Sequence, residues 1–367
     1  MAIALVTNVI TPYRAPLYAL LAERYGVEVL CFGAGQSYVP EWFGDLDAQL
    51  AAAPFPARLI DGPRAALRLG ERYAAAIAPV AGGAMLPATY AGMRLRRRRF
   101  LLWASVWADP RGGAKSALAL PLLHHLYRRA DAVLTYGPHV SRHVARWRRG
   151  AGDLFVAPQS VDGALFGRPV AAAETAAWRA AHDLPADAPL VLYVGRLVPE
   201  KGIATLLDAW RAVHAARPQA RLVAIGDGEL APALRQADGV ALLPPVGAEA
   251  LPVAYAAATA VTLPSIPTPR FREPWGLVCN EALHQATPVV ASDAVGAVAG
   301  GLVRDGETGL VVPAGDAAAL ATALGRLLDD ERLRRRLGEA GRAALAGHTH
   351  ARQADAFGDA LRAAGVI

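Results

Sequence analysis

Apolar residues in the first half of the chain fall into short unbroken runs separated by stretches of helical spacing. IALVTNV (3–9) is a β-rich run. ITPYRAPLYALLAERYG (10–26) repeats its apolar positions at helical intervals, with Pro16 in the first turn. VEVLCFG (27–33), ARLI (57–60), RRFLLWASV (98–106), DAVLTYG (131–137) and DLFVAPQSVD (153–162) read as further strands with helical stretches between them. This βαβ pattern predicts a mainly parallel sheet, whose ligands bind beyond the carboxyl ends of the strands. The 8–14 loop, the 103–109 segment and the 136–139 turn therefore share one rim.

The second half is more regular. LVLYVGRL (190–197), ARLVAIGDG (220–228), VALLPP (240–245), VTLPS (261–265), PVVAS (288–292) and GETGLVVP (306–313) read as strands alternating with amphipathic helices, an open doubly wound α/β domain. A chain of 367 residues exceeds one ordinary core. The expected organisation is a first domain over 1–165, a Pro-, Ala- and Asp-rich connector over 166–188 and a second domain over 189–345. Residues 346–367 would form a helix, about His350–Ala364, packing back onto the first domain.

With 54% hydrophobic and 19% charged residues the composition is that of a globular protein. The sequence holds no run of about 18 apolar residues long enough for a membrane span. The N-terminus has no basic leader or small-residue cleavage site and reads as a buried strand. Cys31 and Cys279, the only cysteines, are far apart, so no disulfide framework is implied and a cytoplasmic enzyme is the default. Residues 1–168 hold 20 basic against 11 acidic residues, and the remainder 18 against 21. An anionic partner would therefore meet the first half, although drift toward arginine produces the same imbalance. Only Lys115 and Lys201 break the arginine habit, and a lysine in such a chain marks a site suited to a compact charge.

The candidate chemistry centres on FREPWGLVCNEAL (271–283), which sets Glu273 and Glu281 eight positions apart around the start of a helix near Gly276. The helix N-terminus offers unpaired N–H groups to an anion. By itself this spacing fits a solubilising glutamate before a helix and another on its surface better than a paired site. Arg196 and Lys201 follow the first strand of the second domain and can stabilise a leaving diphosphate; ion pairs with Glu200 or Glu229 are the plainer alternative. Gly226–Asp227–Gly228 reads as a tight turn. On the first-domain rim, Arg14 could meet a phosphate or sugar or lie on the surface. Trp103 fits sheet packing better than sugar stacking, and His139 is a better ligand candidate than His124 and His125. Arg94–Arg99 (RLRRRR) is either a solvated run or a contact with anionic lipid. No G-x-G-x-x-G follows the first strand and no Walker A loop is present, so dinucleotide and NTP-hydrolysing readings lose their main support.

LYVGRLVPEKGIATLLDAW, IGDGE, LPSIPTPRFREPWGLVCNEAL and PVVASDAVGAVAGGLVRDGETGLVVPAGD together resemble the C-terminal domain of the retaining glycosyltransferases of family 4. NVITPYRAPLY and QSVDGALF carry a weaker resemblance in the first half. The resemblance implies the GT-B fold, two Rossmann-like doubly wound domains facing each other across a deep cleft. It assigns Arg196 and Lys201 to the donor diphosphate, Glu273 to hydroxyls of the donor sugar with help from backbone at Trp275 and Gly276, and Glu281 to the ribose. Gly195 and the backbone of Leu277 and Val278 would approach the donor, and Pro245 and Val246 would border the base. Arg14, Ser105, Trp103 and His139 fall on the acceptor or sugar side. The chain departs from the family in ITPYR, which replaces a glycine-rich loop, and in Ser105, which stands where many members have a histidine.

The implied activity is retaining, metal-independent transfer of a hexose from a nucleotide diphosphate sugar, with UDP the first expectation and GDP-mannose the second. No cofactor is implied. The acceptor would be a cell-envelope, exopolysaccharide or lipid-linked saccharide, and nucleic acid is not an expected partner. The protein would be cytoplasmic, with the basic first domain able to meet an anionic membrane surface. A nucleotide-sugar epimerase of the same architecture and a non-catalytic nucleotide-sugar-binding protein are the alternatives. Lys201→Ala is expected to cut turnover with the fold intact.

Overall fold

A computed structural model describes residues 2–33, 46–109, 114–148, 152–269 and 271–367, the side chains of 114–118 excepted, so Lys115 lies outside it. The chain divides into two units, Met1–Gln159 with Thr349–Ile367, and Ser160–His348.

The first unit holds a seven-stranded sheet. Its strands are β1 (Ile3–Thr7), β2 (Val27–Cys31), β3 (Ala57–Leu59), β4 (Ala75–Pro79), β5 (Arg99–Ala104), β6 (Ala132–Thr135) and β7 (Leu154–Val156), in the order β3-β2-β1-β4-β5-β6-β7. Every adjacent pair is parallel. The order reverses between β1 and β4, which makes the carboxyl ends of those strands a ligand crevice. β1 and β6 are buried along their whole length, as a parallel sheet covered on both faces requires. β4, AAIAP, was not among the expected strands. Three alanines give it little β character, and its position between β1 and β5 makes it a strand.

The second unit repeats the design with β8 (Leu190–Val194), β9 (Arg221–Ile225), β10 (Val240–Leu243), β11 (Ala260–Leu263), β12 (Val289–Ser292) and β13 (Leu310–Val312), in the order β10-β9-β8-β11-β12-β13. The reversal here lies between β8 and β11. One flank is covered by the helices Ile203–Ala216 and Ala317–Asp329, whose Trp210, Val213, Leu320 and Leu324 share a core with β8 and β9.

The expected connector, 166–188, is instead helical over Ala172–Ala181 and belongs to the second unit. That helix packs on Leu251–Ala257, and the Arg179 guanidinium donates to the carbonyls of Ala257 (2.7 Å), Ala188 (2.9 Å) and Pro185 (3.1 Å). Alanine promotes helix as readily as it fills a linker, and the packing partner decides. The chain returns to the first unit at the helix His350–Ala363, capped by Thr349 Oγ1 accepting from Arg352 N. This helix lies on the Ala15–Tyr25 helix, β6 and β7, with the Phe357 ring 5.1 Å from Trp103.

Candidate functional site

In the second unit the candidate residues collect at the reversal of strand order. After β8 the chain runs through Gly195 and Arg196 into a short 3-10 turn, Pro199–Lys201, that ends at Gly202 in the left-handed region (φ +73°). A Cβ at Gly202 would lie 1.9 Å from the Pro264 carbonyl oxygen, so only glycine lets the turn approach the end of β11 so closely. The turn carries Lys201 to Glu273, and the two side chains form an ion pair while mostly buried. Ser265, directly beyond β11, donates to the same Glu273 oxygen at 2.9 Å, and the Lys201 ammonium lies 5.7 Å from the Phe271 ring centroid. A cation and a carboxylate that bind each other so closely have exchanged water for one another.

The segment bearing Glu273 is held by backbone. Glu273 and Val295 form a bridge, Gly296 N donates to Glu273 O at 3.1 Å and Ala297 N to Trp275 O at 2.7 Å. The Trp275 side chain is buried, with Nε1 donating to Asn280 Oδ1 at 2.7 Å. Gly276 (φ +91°) opens the helix Leu277–His284, and Gly276, Leu277 and Val278 lie half-buried at its N-terminus, where N–H groups and the positive helix end favour an anion.

Glu281 lies one turn inside this helix. Its carboxylate accepts from Tyr255 Oη, and burial pushes its pKa up to about 7, the Tyr255 hydrogen bond offsetting part of the rise. Arg196 pairs with Glu200 at 3.4 Å, the plainer alternative for that residue, and about half of its side chain remains exposed. Tyr193 Oη donates to the Arg196 carbonyl at 2.7 Å, which fixes the loop. Gly195 N and Leu197 N bond to Ile225 O and Asp227 O, so Gly226–Gly228 serves as a turn zipped to this loop. Pro245 and Val246 are exposed beyond the edge strand β10, apart from the Lys201–Glu273 pair.

On the first-unit rim, Arg14 donates to Tyr136 Oη, and its guanidinium carbon lies 4.6 Å from the Trp103 ring centroid. Arg14 is therefore not a free surface residue, and Trp103 is buried as sheet packing requires. His139 is buried against Trp107, ring centroids 5.2 Å apart, and Ser105 is half-buried beyond β5. His124 bonds to Asp109 at 3.2 Å and stacks on Trp147, and His125 meets Tyr90 Oη at 3.1 Å.

The Arg94–Arg99 run is largely engaged within the protein. Arg94 and Arg99 reach Asp131 at 2.8 and 3.2 Å, Arg96 reaches Glu71 at 2.6 Å, and Arg98 donates to Gly70 O. Three residues of the second-unit site were not anticipated from the sequence: Ser265, Tyr255 and Phe271. Ser265 had a signal in its place at the carboxyl end of the VTLPS run. Tyr255 had none, because its role depends on two helices meeting.

Residues 174–344 match the family model described as Glycosyl transferases group 1. Over 190 residues the chain is 38% identical to D-inositol 3-phosphate glycosyltransferase of Acidothermus cellulolyticus, covering 47% of this chain and 40% of that one. Over 175 residues it is 36% identical to the lipopolysaccharide core biosynthesis glycosyltransferase LpsE of Rhizobium meliloti, covering 46% and 48%. The chain thus spans less than half the length of these curated relatives. Among solved structures, HepE of Anabaena in complex with UDP superposes with a TM-score of 0.82 at 20% identity, covering 99% of this chain and 100% of that one. Two parallel-sheet Rossmann-like domains and neighbours of this kind make the fold GT-B. The matched residues 174–344 make up nearly all of the second unit.

Proposed function

We propose that the protein is a retaining glycosyltransferase that moves a hexose from a nucleotide diphosphate sugar, UDP-linked first and GDP-linked second, to a cell-envelope, exopolysaccharide or lipid-linked saccharide. The observation that carries this reading is the mostly buried Lys201–Glu273 pair beside the N-terminus of the Leu277–His284 helix. In the proposed complex Lys201 and Arg196 turn to the diphosphate and release Glu273 to the hydroxyls of the donor sugar. Glu281 accepts from the ribose. The bond from the sugar anomeric carbon to the diphosphate oxygen breaks, the acceptor oxygen bonds to that carbon from the same face, and the acceptor proton passes to the leaving diphosphate. Cations close to the departing oxygens act most strongly as charge develops, which lowers the barrier more than it tightens substrate binding. Side chains and helix N–H groups meet the diphosphate charge, so no metal enters the scheme.

Relatives named for transfer to an inositol phosphate and to lipopolysaccharide core support a phosphorylated or envelope acceptor. Among the described residues no helix is long and apolar enough to cross a membrane. Peripheral membrane contact would fall to the basic first unit, through Arg97 and the exposed Leu95 more than through the paired arginines. The test is calorimetric binding of UDP, GDP and ADP, followed by transfer from the matching nucleotide sugars with the anomeric configuration read by NMR. An α product from an α donor is expected. An inverted product would overturn the retaining scheme, and tight nucleotide binding without turnover on any acceptor would leave a binding protein.

A further inference from the structure

The rim at the ends of β1, β5 and β6 contains a cation that the proposed donor chemistry does not use. Arg14 ends the turn that begins at Thr11, with Arg14 N donating to Thr11 O at 2.9 Å. Its guanidinium donates to Tyr136 Oη and lies over the Trp103 ring at 4.6 Å and toward Tyr13 at 5.5 Å. Among the described residues no carboxylate pairs with it. Its Nε is buried without a hydrogen-bond partner, and the same holds for Trp103 Nε1, Thr11 Oγ1 and the hydroxyl of Tyr18, which interacts with the Arg14 charge. Trp103 is 2% and Thr11 8% exposed.

Aromatic faces and a neutral hydroxyl compensate a guanidinium only in part, and a cation partly withdrawn from water without a carboxylate partner carries a desolvation penalty. Arginine and tryptophan side chains can only donate, and the threonine hydroxyl can join them. The four polar atoms left over, the Tyr18 hydroxyl among them, can all donate and so suit a ligand that accepts, and the charge suits an anion. Arg14 is itself only half-buried, so a ligand can reach it. A planar guanidinium fork suits the oxyanion of a carboxylate or phosphate on a sugar.

We propose that Arg14, Trp103 Nε1 and the Thr11 hydroxyl form an oxyanion-binding acceptor subsite, which selects saccharide acceptors carrying a carboxylate or phosphate over neutral ones. The assignment to the acceptor rests on the transfer reading above, whereas the anion site itself does not.

The test uses the full chain and ligand-observed NMR titrations with glucuronate, glucose 6-phosphate, inorganic phosphate and glucose, each with and without UDP. The two acidic sugars are expected to bind about tenfold more tightly than glucose at low salt, with the advantage shrinking as salt is added. Whichever acid binds more tightly identifies the group as carboxylate or phosphate. Arg14→Gln should remove the advantage and leave UDP affinity unchanged. Trp103→Phe keeps an aromatic face under the guanidinium while losing the N–H and the second ring of the indole, so it should reduce the advantage about threefold; it carries the test if the Arg14 variant does not fold. Equal binding of acids and glucose, or an advantage that survives in both variants, overturns the proposal. So does loss of UDP affinity in Arg14→Gln, which would give Arg14 to the donor phosphates. If an Arg14-dependent preference for acids persists while no nucleotide binds, the transfer reading fails and the anion site stands.

Discussion

Lys201 and Ser265 both donate to one oxygen of Glu273, so the carboxylate expected to hold a sugar is bound by the lysine expected to hold a phosphate. The two proposed ligand roles are thus coupled through one carboxylate oxygen.

This coupling changes what a lysine substitution does. Lys201→Ala would take this cation from a mostly buried carboxylate, at a cost of about 3–5 kcal/mol. The expectation from sequence, lost turnover with the fold intact, therefore gives way to lost turnover with a lowered melting temperature. The double variant Lys201→Met, Glu273→Gln should recover most of the melting temperature and none of the transfer activity. Thermal melts beside a transfer assay measure both, and a single variant that melts like the parent would show that the pair contributes little.

Glu281 makes nucleotide binding depend on pH. Its pKa, pushed up to about 7 by burial, leaves it half-protonated near neutrality, and only the ionised form accepts from both ribose hydroxyls. Nucleotide affinity should thus fall as pH drops from 8 to 6. Tyr255→Phe removes a hydrogen bond to the charged form and should move that transition to higher pH. Because the folded pKa is above the ordinary 4.5, this group's contribution to stability runs the other way, declining as pH rises from about 4.5 to 7. Calorimetry at pH 6, 7 and 8 decides the matter; a flat profile for the parent, or a sloping one for Glu281→Gln, would exclude Glu281 as the titrating group.

Gly202 should tolerate no side chain. Alanine there meets both a left-handed backbone and the Pro264 carbonyl oxygen at 1.9 Å, so Gly202→Ala should cost more than about 2 kcal/mol and displace Lys201. Gly83 (φ +54°) has no atom within 4 Å of an added Cβ, and Gly83→Ala should cost only about 1 kcal/mol, the backbone term alone. Denaturant melts of the two variants separate close approach from conformation, and equal losses would contradict the crowding at Gly202.

Asp131 should matter more than any arginine of the basic run. It accepts from Arg94, Arg99 and the backbone N–H of Phe100, so Asp131→Asn should lower stability by about 1–3 kcal/mol. Arg97→Ala, at an exposed side chain, should stay within about 0.5 kcal/mol. Urea unfolding of both variants tests this, and the reverse ranking would mean that the run is held by something other than Asp131.

The sequence by itself determined the repeating βαβ plan, the order of the second-half elements, the final helix and the residues of the FREPWGLVCNEAL stretch. Strand and helix periodicity are local properties, and Arg196, Lys201, Glu273 and Glu281 stand beside recognisable strand ends and a helix start. Only the tertiary structure decided who meets whom. β4 became a strand because β1 and β5 flank it, and the expected connector became a helix because the Leu251–Ala257 helix gives it a face to cover. The basic run was taken up by Asp131 and Glu71, tens of residues away in sequence. The same holds for the two glutamates. Their spacing was visible, but the partners that bury Glu273 against Lys201 and raise the pKa of Glu281 beside Tyr255 come from other elements, and burial depends on what folding brings together.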